Sequence, residues 1–154
     1  MESTYVTYLK NLGVTLEKGT RSETDKIIKF EGKALNMMTL GIIFSQMCKY
    51  QNTIRSTGDG AKFVSEYLED IRKSGSLTVS IKEKYGISKS ENTTIQLNGK
   101  PITLEIFGAI YSEMCKVQSN LYPHGKGSLY LKEYLDEIEK KGSFTEEIRR
   151  KFKF

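Results

Sequence analysis

The chain has 154 residues, 28% charged and 38% hydrophobic, with a net charge of +5, which suits one ordinary domain or two small ones. No apolar run approaches the roughly 20 residues that a membrane-spanning helix needs. The opening MESTYVTYLKNLG lacks a basic region followed by an apolar stretch, so the sequence predicts an intracellular, cytoplasmic protein with no membrane partner. Lys outnumbers Arg 19 to 5, and Lys is a point charge rather than a bidentate reader of phosphate or guanine. The basic balance is thus compatible with phosphate contact or an acidic partner and demands neither.

Residues 1–27 read as a leading helix and a connector. Tyr5, Leu9 and Leu12 fall at helical spacing within 3–12, and 15–25 is polar. From Ile28 onward the chain repeats itself. Residues 28–86 and 95–153 align without a gap at an offset of 67, with 22 of 59 positions identical. A repeat at this level predicts a duplicated unit, with 28–86 as the first copy, 87–94 as a linker and 95–154 as the second copy.

Each copy opens on a hairpin. In TIQLNGKPITL, Asn98-Gly99 lies between alternating apolar residues, the pattern of a two-residue type I′ turn. The first copy, IKFEGKAL, has Glu31 in place of Asn98, which makes its turn less well specified. Pro101 suits an edge strand, since it cannot donate to a ladder. A helix comes next, capped by Asn36 or Thr103. Its apolar stripe is Leu40, Ile43, Phe44, Met47 and Ile54, matched by Phe107, Ile110, Tyr111, Met114 and Leu121. Beside it run the small residues Gly41, Ser45 and Cys48, matched by Gly108, Ser112 and Cys115. Gly inside a helix costs about 1 kcal/mol relative to Ala, so its presence in both copies predicts close approach of another backbone, with the two small-residue edges as the expected partners.

Gly58-Asp59-Gly60 and Gly125-Lys126-Gly127 then read as turns needing positive φ. A second helix carries Val64, Tyr67, Leu68 and Ile71, matched by Leu131, Tyr134, Leu135 and Ile138, and stops at Gly75 or Gly142. Ser76 or Ser143 is placed to start a last short helix, and Ser143 to Glu146 has the spacing of a capping box. The expected fold class is therefore α+β: a tandem duplication of a β-hairpin–helix–helix–short helix unit, mostly helical, behind a leading helix.

Few residues point to chemistry. The single His124 has Thr57 as its counterpart and no companion at ligand spacing, and Cys48 and Cys115 read as small buried thiols. No nucleophile–base pattern or metal motif is present, so the sequence predicts a non-enzymatic protein with no metal and no cofactor. Two features are left for binding. Lys33/Lys100, Lys49/Lys116, Lys73/Lys140 and Lys84/Lys151 are Lys in both copies, and the chain ends in Arg149-Arg150-Lys151-Phe152-Lys153-Phe154, basic residues interleaved with aromatics. Such a surface can hold phosphates and stack on bases. The expected function is a regulator engaging nucleic acid or a nucleoprotein complex, in the manner of small inhibitors encoded by phages and mobile elements. The alternatives are a small-anion or nucleotide cradle at His124, Gly125, Lys126 and Gly127, and a homo-oligomeric interaction domain, with a homodimer left open.

Overall fold

The computed structural model describes residues 4–55, 59–87, 94–97, 99–122 and 126–152. The chain runs α1 (Thr4–Asn11), β1 (Val14–Lys18), β2 (Lys26–Phe30), β3 (Lys33–Leu35), α2 (Met37–Ile54), α3 (Gly60–Ser74) and α4 (Val79–Lys84). It continues with β4 (Thr94–Leu97), β5 (Lys100–Thr103), α5 (Leu104–Leu121), α6 (Lys126–Lys141) and α7 (Glu146–Lys151). The fold is mostly helical with small antiparallel sheets, which makes it α+β. Among the described residues no helix is long and apolar enough to cross a membrane.

Both hairpins use two-residue loops, with Phe30 opposite Lys33 and Leu97 opposite Lys100. Glu31 takes φ 50° and Gly32 φ 81°, so the first loop keeps positive φ at both central positions even without Asn. Gly99 sits at φ 80°, while Asn98 lies outside the described residues. Pro101 opposes Gln96 in a two-stranded ladder, where an edge position is available to it.

The polar connector expected at 15–25 contains most of a strand. β1 pairs antiparallel with β2 from Val14↔Phe30 to Lys18↔Lys26, making the first sheet three-stranded in the order β1-β2-β3. Only Val14, 0% exposed, and half-buried Leu16 anchor it, too short an alternation to stand out in a polar stretch.

The long-helix caps are those expected. Asn36 Oδ1 accepts from Thr39 N–H at 2.8 Å and Thr103 Oγ1 from Ile106 N–H at 3.1 Å. Gly75 and Gly142 take left-handed φ of 84° and 82°. The short helices differ: their N-caps are Thr78 and Thr145, not Ser76 and Ser143, and each Oγ1 accepts from the N–H three residues on, at Ile81 or Ile148, at 3.2 Å. With the helix starting two residues later, Glu146 is its first residue and the Ser143 capping box does not form.

One hydrophobic core runs through both halves. Both helical stripes are buried in it except Leu121, which is half-buried, and Ile54, which closes the final turn of α2 and is 52% exposed. Contacts between the halves are reciprocal: α2 packs on α6 and α3 on α5. The close approach expected at the mid-helix glycines is to a side chain rather than to the other small-residue edge. A Cβ on Gly41 would overlap the Tyr134 hydroxyl and lie 2.8 Å from its Cζ; one on Gly108 would meet Tyr67 in the same way. Each phenol then donates to a backbone carbonyl of the helix it abuts, Tyr134 to Met37 O and Tyr67 to Leu104 O, both at 2.7 Å.

Gly60 and Gly127 also differ from expectation, for neither has positive φ. They open α3 and α6, and a Cβ there would overlap the backbone of α2 at Gln51–Asn52 or of α5 at Gln118–Ser119. They are glycines because two helix backbones touch. Gly58 lies outside the described residues.

Candidate functional site

The structure gives the repeated lysines different surroundings. Lys84 Nζ lies 2.8 Å from Asp70 and Lys151 Nζ 3.0 Å from Glu137, so each ties a short helix to the long helix before it. That tie is a structural reason for Lys at both positions, although both side chains stay exposed. Lys116 bonds Glu113 at 2.9 Å and lies 4.7 Å from the Tyr5 ring centroid, whereas its counterpart Lys49 is exposed on α2. Arg149 and Arg150 reach Glu146 at 3.1 and 3.6 Å. Lys33 and Lys100, both exposed, flank one cavity of about 180 Å3 between the hairpins, floored by Phe30, Leu35 and Leu97. Of the anion-cradle residues, Lys126 is exposed and Gly127 buried at the start of α6. His124 and Gly125, like Lys153, lie outside the described residues.

The interleaved aromatics of the C-terminus do converge with other rings. Phe152 packs edge-on against Tyr134 at 5.1 Å and Tyr130 at 5.7 Å between centroids, and Tyr130 meets Tyr122 at 5.4 Å. Phe152, Tyr130 and Tyr122 border a cleft of about 440 Å3 whose described lining also includes Arg21, Met37, Gln118, Leu121 and Lys151. A second cavity of about 310 Å3, between β2–β3 and α5, shares Arg21, Met37 and Gln118 with it. Tyr122 is 45% exposed at the mouth. Lys126 and Tyr130, four residues apart on α6, share a helix face.

Two cations stand at the cleft. Arg21 grips the buried Asp25 through Nε at 3.1 Å and one Nη at 3.0 Å, and its own N–H bonds the same carboxylate. These bonds hold the Asp25 carboxyl below the usual carboxylate range. The second Nη of Arg21 is not used in that grip. Lys151 likewise spends one contact on Glu137 and keeps a 59% exposed side chain. Burial pushes the Tyr130 phenol up, so it is neutral at physiological pH.

Gln118 is the unusual member of the site. It is 4% exposed and lines both cavities, yet its carboxamide has no hydrogen-bond partner among the described residues. Its counterpart Gln51 accepts a 3.2 Å bond from Arg55 Nε, and the Arg55 guanidinium lies 3.6 Å over the Phe63 ring. At the offset of 67, Arg55 becomes Tyr122 and Phe63 becomes Tyr130. The first half therefore sets its own guanidinium against the Gln51 oxygen, leaving Gln51 Nε2 without a partner among the described residues, and the second half has no guanidinium there. Sequence reasoning passed over Gln118, Tyr122, Tyr130 and Arg21. The available signal was a Gln retained in both copies beside an Arg-to-Tyr exchange.

A groove of about 270 Å3 between α3 and α6 has an apolar floor including Phe44, Leu68, Tyr111 and Leu135. Its polar rim is largely self-satisfied: Arg72 pairs with Glu69 at 2.7 Å, Lys132 with Asp136 at 2.8 Å, and Ser65 donates to Glu139 at 2.9 Å. Cys48 and Cys115 are free thiols. Among the described residues no group of three or more His, Cys, Asp or Glu is arranged to hold a metal ion. Comparison with models of protein families, with curated proteins and with solved structures finds no match to this chain.

Proposed function

We propose that the chain is a tandem duplication whose two copies pack across an approximate two-fold, and that the second copy presents the binding surface of a non-enzymatic regulator that engages nucleic acid, free or within a nucleoprotein complex. The duplication is supported by the sequence offset together with the reciprocal Tyr134–Gly41 and Tyr67–Gly108 contacts. The binding reading rests on one observation: Tyr122, Tyr130 and Phe152 converge around a cleft bordered by Arg21 and Lys151. Aromatic faces beside cations suit single strands, because every base offers a face to stack and every linkage a phosphate. Arg149, Arg150 and Lys126 extend the positive charge along α7 and α6.

The test is binding of a labelled single-stranded oligonucleotide by fluorescence anisotropy, with salt raised from about 50 to 200 mM. Phosphate contacts release counterions, so affinity falls steeply over that range. Replacing Arg149, Arg150 and Lys151 with Glu weakens binding and flattens the salt slope. Circular dichroism of that variant stays native, since exposed ion pairs are worth only about 0–1 kcal/mol each. Affinity independent of salt, or undiminished in the triple variant, overturns the reading.

A further inference from the structure

Building on that reading, we infer that the cleft beside Tyr122 is a pocket for one adenine-type base carrying a phosphate, with the Gln118 carboxamide reading the edge of the base. A buried amide without a partner is uncommon in a folded protein and calls for an explanation. Gln118 is 4% exposed and lines the cleft with both a donor and acceptors to offer. The first half shows what this frame accepts. There a planar group bearing N–H donors, the Arg55 guanidinium, stacks 3.6 Å over Phe63 while donating to the Gln51 oxygen at 3.2 Å, which leaves the Gln51 amide nitrogen unserved among the described residues. In the second half the arginine is gone, a tyrosine stands in its place, and about 440 Å3 is open beside the amide. The fitting occupant is flat, stacks on tyrosine and pairs a donor and an acceptor with a carboxamide.

An adenine edge meets all three conditions, since Gln pairs bidentately with its exocyclic amine and adjacent ring nitrogen. A guanidinium from a partner protein meets the first two. It would, however, enter between Arg21 and Lys151, whose spare donors and exposed side chains favour an anion. A base linked to a phosphate satisfies the amide, the rings and the cations together. The same chemistry is offered by a mononucleotide and by one base of a strand.

The experiment compares wild type, Gln118→Leu, Gln118→Glu and Tyr122→Ala in the full chain against three probes: an adenylate strand of about ten nucleotides, an abasic strand of equal length, and AMP. Gln118→Leu removes an amide without a protein partner, so its melting temperature holds. Tyr122 is 45% exposed and tolerates truncation, which keeps the test open should the Leu variant unfold. The expected result is a loss of about tenfold or more for the adenylate strand with Gln118→Leu and Tyr122→Ala, and no loss for the abasic strand. Gln118→Glu keeps the acceptors and loses the donor, so it falls between. Equal binding of adenylate and abasic strands by wild type and variants overturns the base pocket while leaving nucleic-acid binding in place. Gln118-dependent binding of AMP with no binding of either strand upholds the pocket for a free nucleotide and overturns the strand reading. No response to any probe, or to AMP when arginine amide does bind, overturns the pocket.

Discussion

Tyr134 occupies the space that a side chain on Gly41 would fill, and from there donates a 2.7 Å hydrogen bond to Met37 O, one turn earlier on the same helix. Tyr67 does the same at Gly108 and Leu104. The glycine in each long helix thus admits a buried phenol from the other half, which contributes ring burial and a buried hydrogen bond against the helix propensity that glycine forfeits.

The sign of a Gly→Ala substitution tests this directly. On an unobstructed helix, Ala stabilises by about 1 kcal/mol. Gly108→Ala instead destabilises by about 1–3 kcal/mol, because the Tyr67 phenol has to move. Adding Tyr67→Phe removes the obstructing oxygen, so the double variant is less unstable than the two single losses summed. Urea unfolding of the four proteins measures it, and a stabilised Gly108→Ala would contradict the contact.

Gly127→Ala behaves differently because its obstacle is the α5 backbone at Gln118–Ser119. No side-chain truncation relieves it. Its loss in urea unfolding equals or exceeds that of Gly108→Ala and is not recovered by trimming any neighbour. A substitution within about 0.5 kcal/mol of wild type would show that the helices have room to separate.

The leading helix is held to α5 by two phenols. Tyr5 donates to Glu113, 5% exposed, and Tyr8 donates to Glu105, which is half-buried and also within 3.4 Å of Lys82. Tyr5→Phe leaves the Glu113 carboxylate, shut away from water, with Lys116 at 2.9 Å as its remaining side-chain donor and costs about 1–3 kcal/mol. Tyr8→Phe costs less, since water and Lys82 still serve Glu105. Thermal melts that reverse this order would remove the buried-carboxylate account.

Alkaline pH reads out the two thiols. Burial pushes Cys48 and Cys115 up to about 12 from an ordinary 9.0, and Tyr85, half-buried and bonded to Asp70, up to about 12 from 10.0. The native state holds these protons more tightly than the unfolded chain does. Their stabilising contribution is whole below the unfolded values and is lost as pH rises through the folded ones. The urea midpoint therefore falls progressively above about pH 9, and both thiols resist a disulfide reagent at pH 8 until the protein unfolds. Rapid labelling of the native protein at pH 8 would contradict this.

Local chemistry was legible wherever neighbouring residues decide the geometry. The Asn36 and Thr103 caps, the left-handed Gly75 and Gly142, the apolar stripes and the hairpin loops all depend on interactions within a few residues, and the repeat wrote them out twice. The expectations that failed were of another kind. β1 is a strand because β2 offers an edge to it, and its own sequence has only Val14 and Leu16 to show. Gly41 meets a tyrosine from a helix more than 90 residues later, so its sequence neighbours announce a close approach but not its partner. The ion pairs of Lys84 and Lys151 were unforeseen rather than mistaken: their carboxylate partners 14 residues earlier appear only once α3 folds onto α4 and α6 onto α7.

The sequence by itself determined the repeat at an offset of 67 and the hairpin–helix–helix order, because short-range periodicity carries those properties. The tertiary structure decided how the halves engage and where the second departs from the first. Exchanging Arg55 for Tyr122 looks like one change among many along the chain. In the folded molecule Arg55 bonds the Gln51 oxygen, whereas Gln118 and Tyr122 line a cleft between residues drawn from β2's flank, α5, α6 and α7. Burial of a polar group without a partner is a property of packing, and no linear pattern records it.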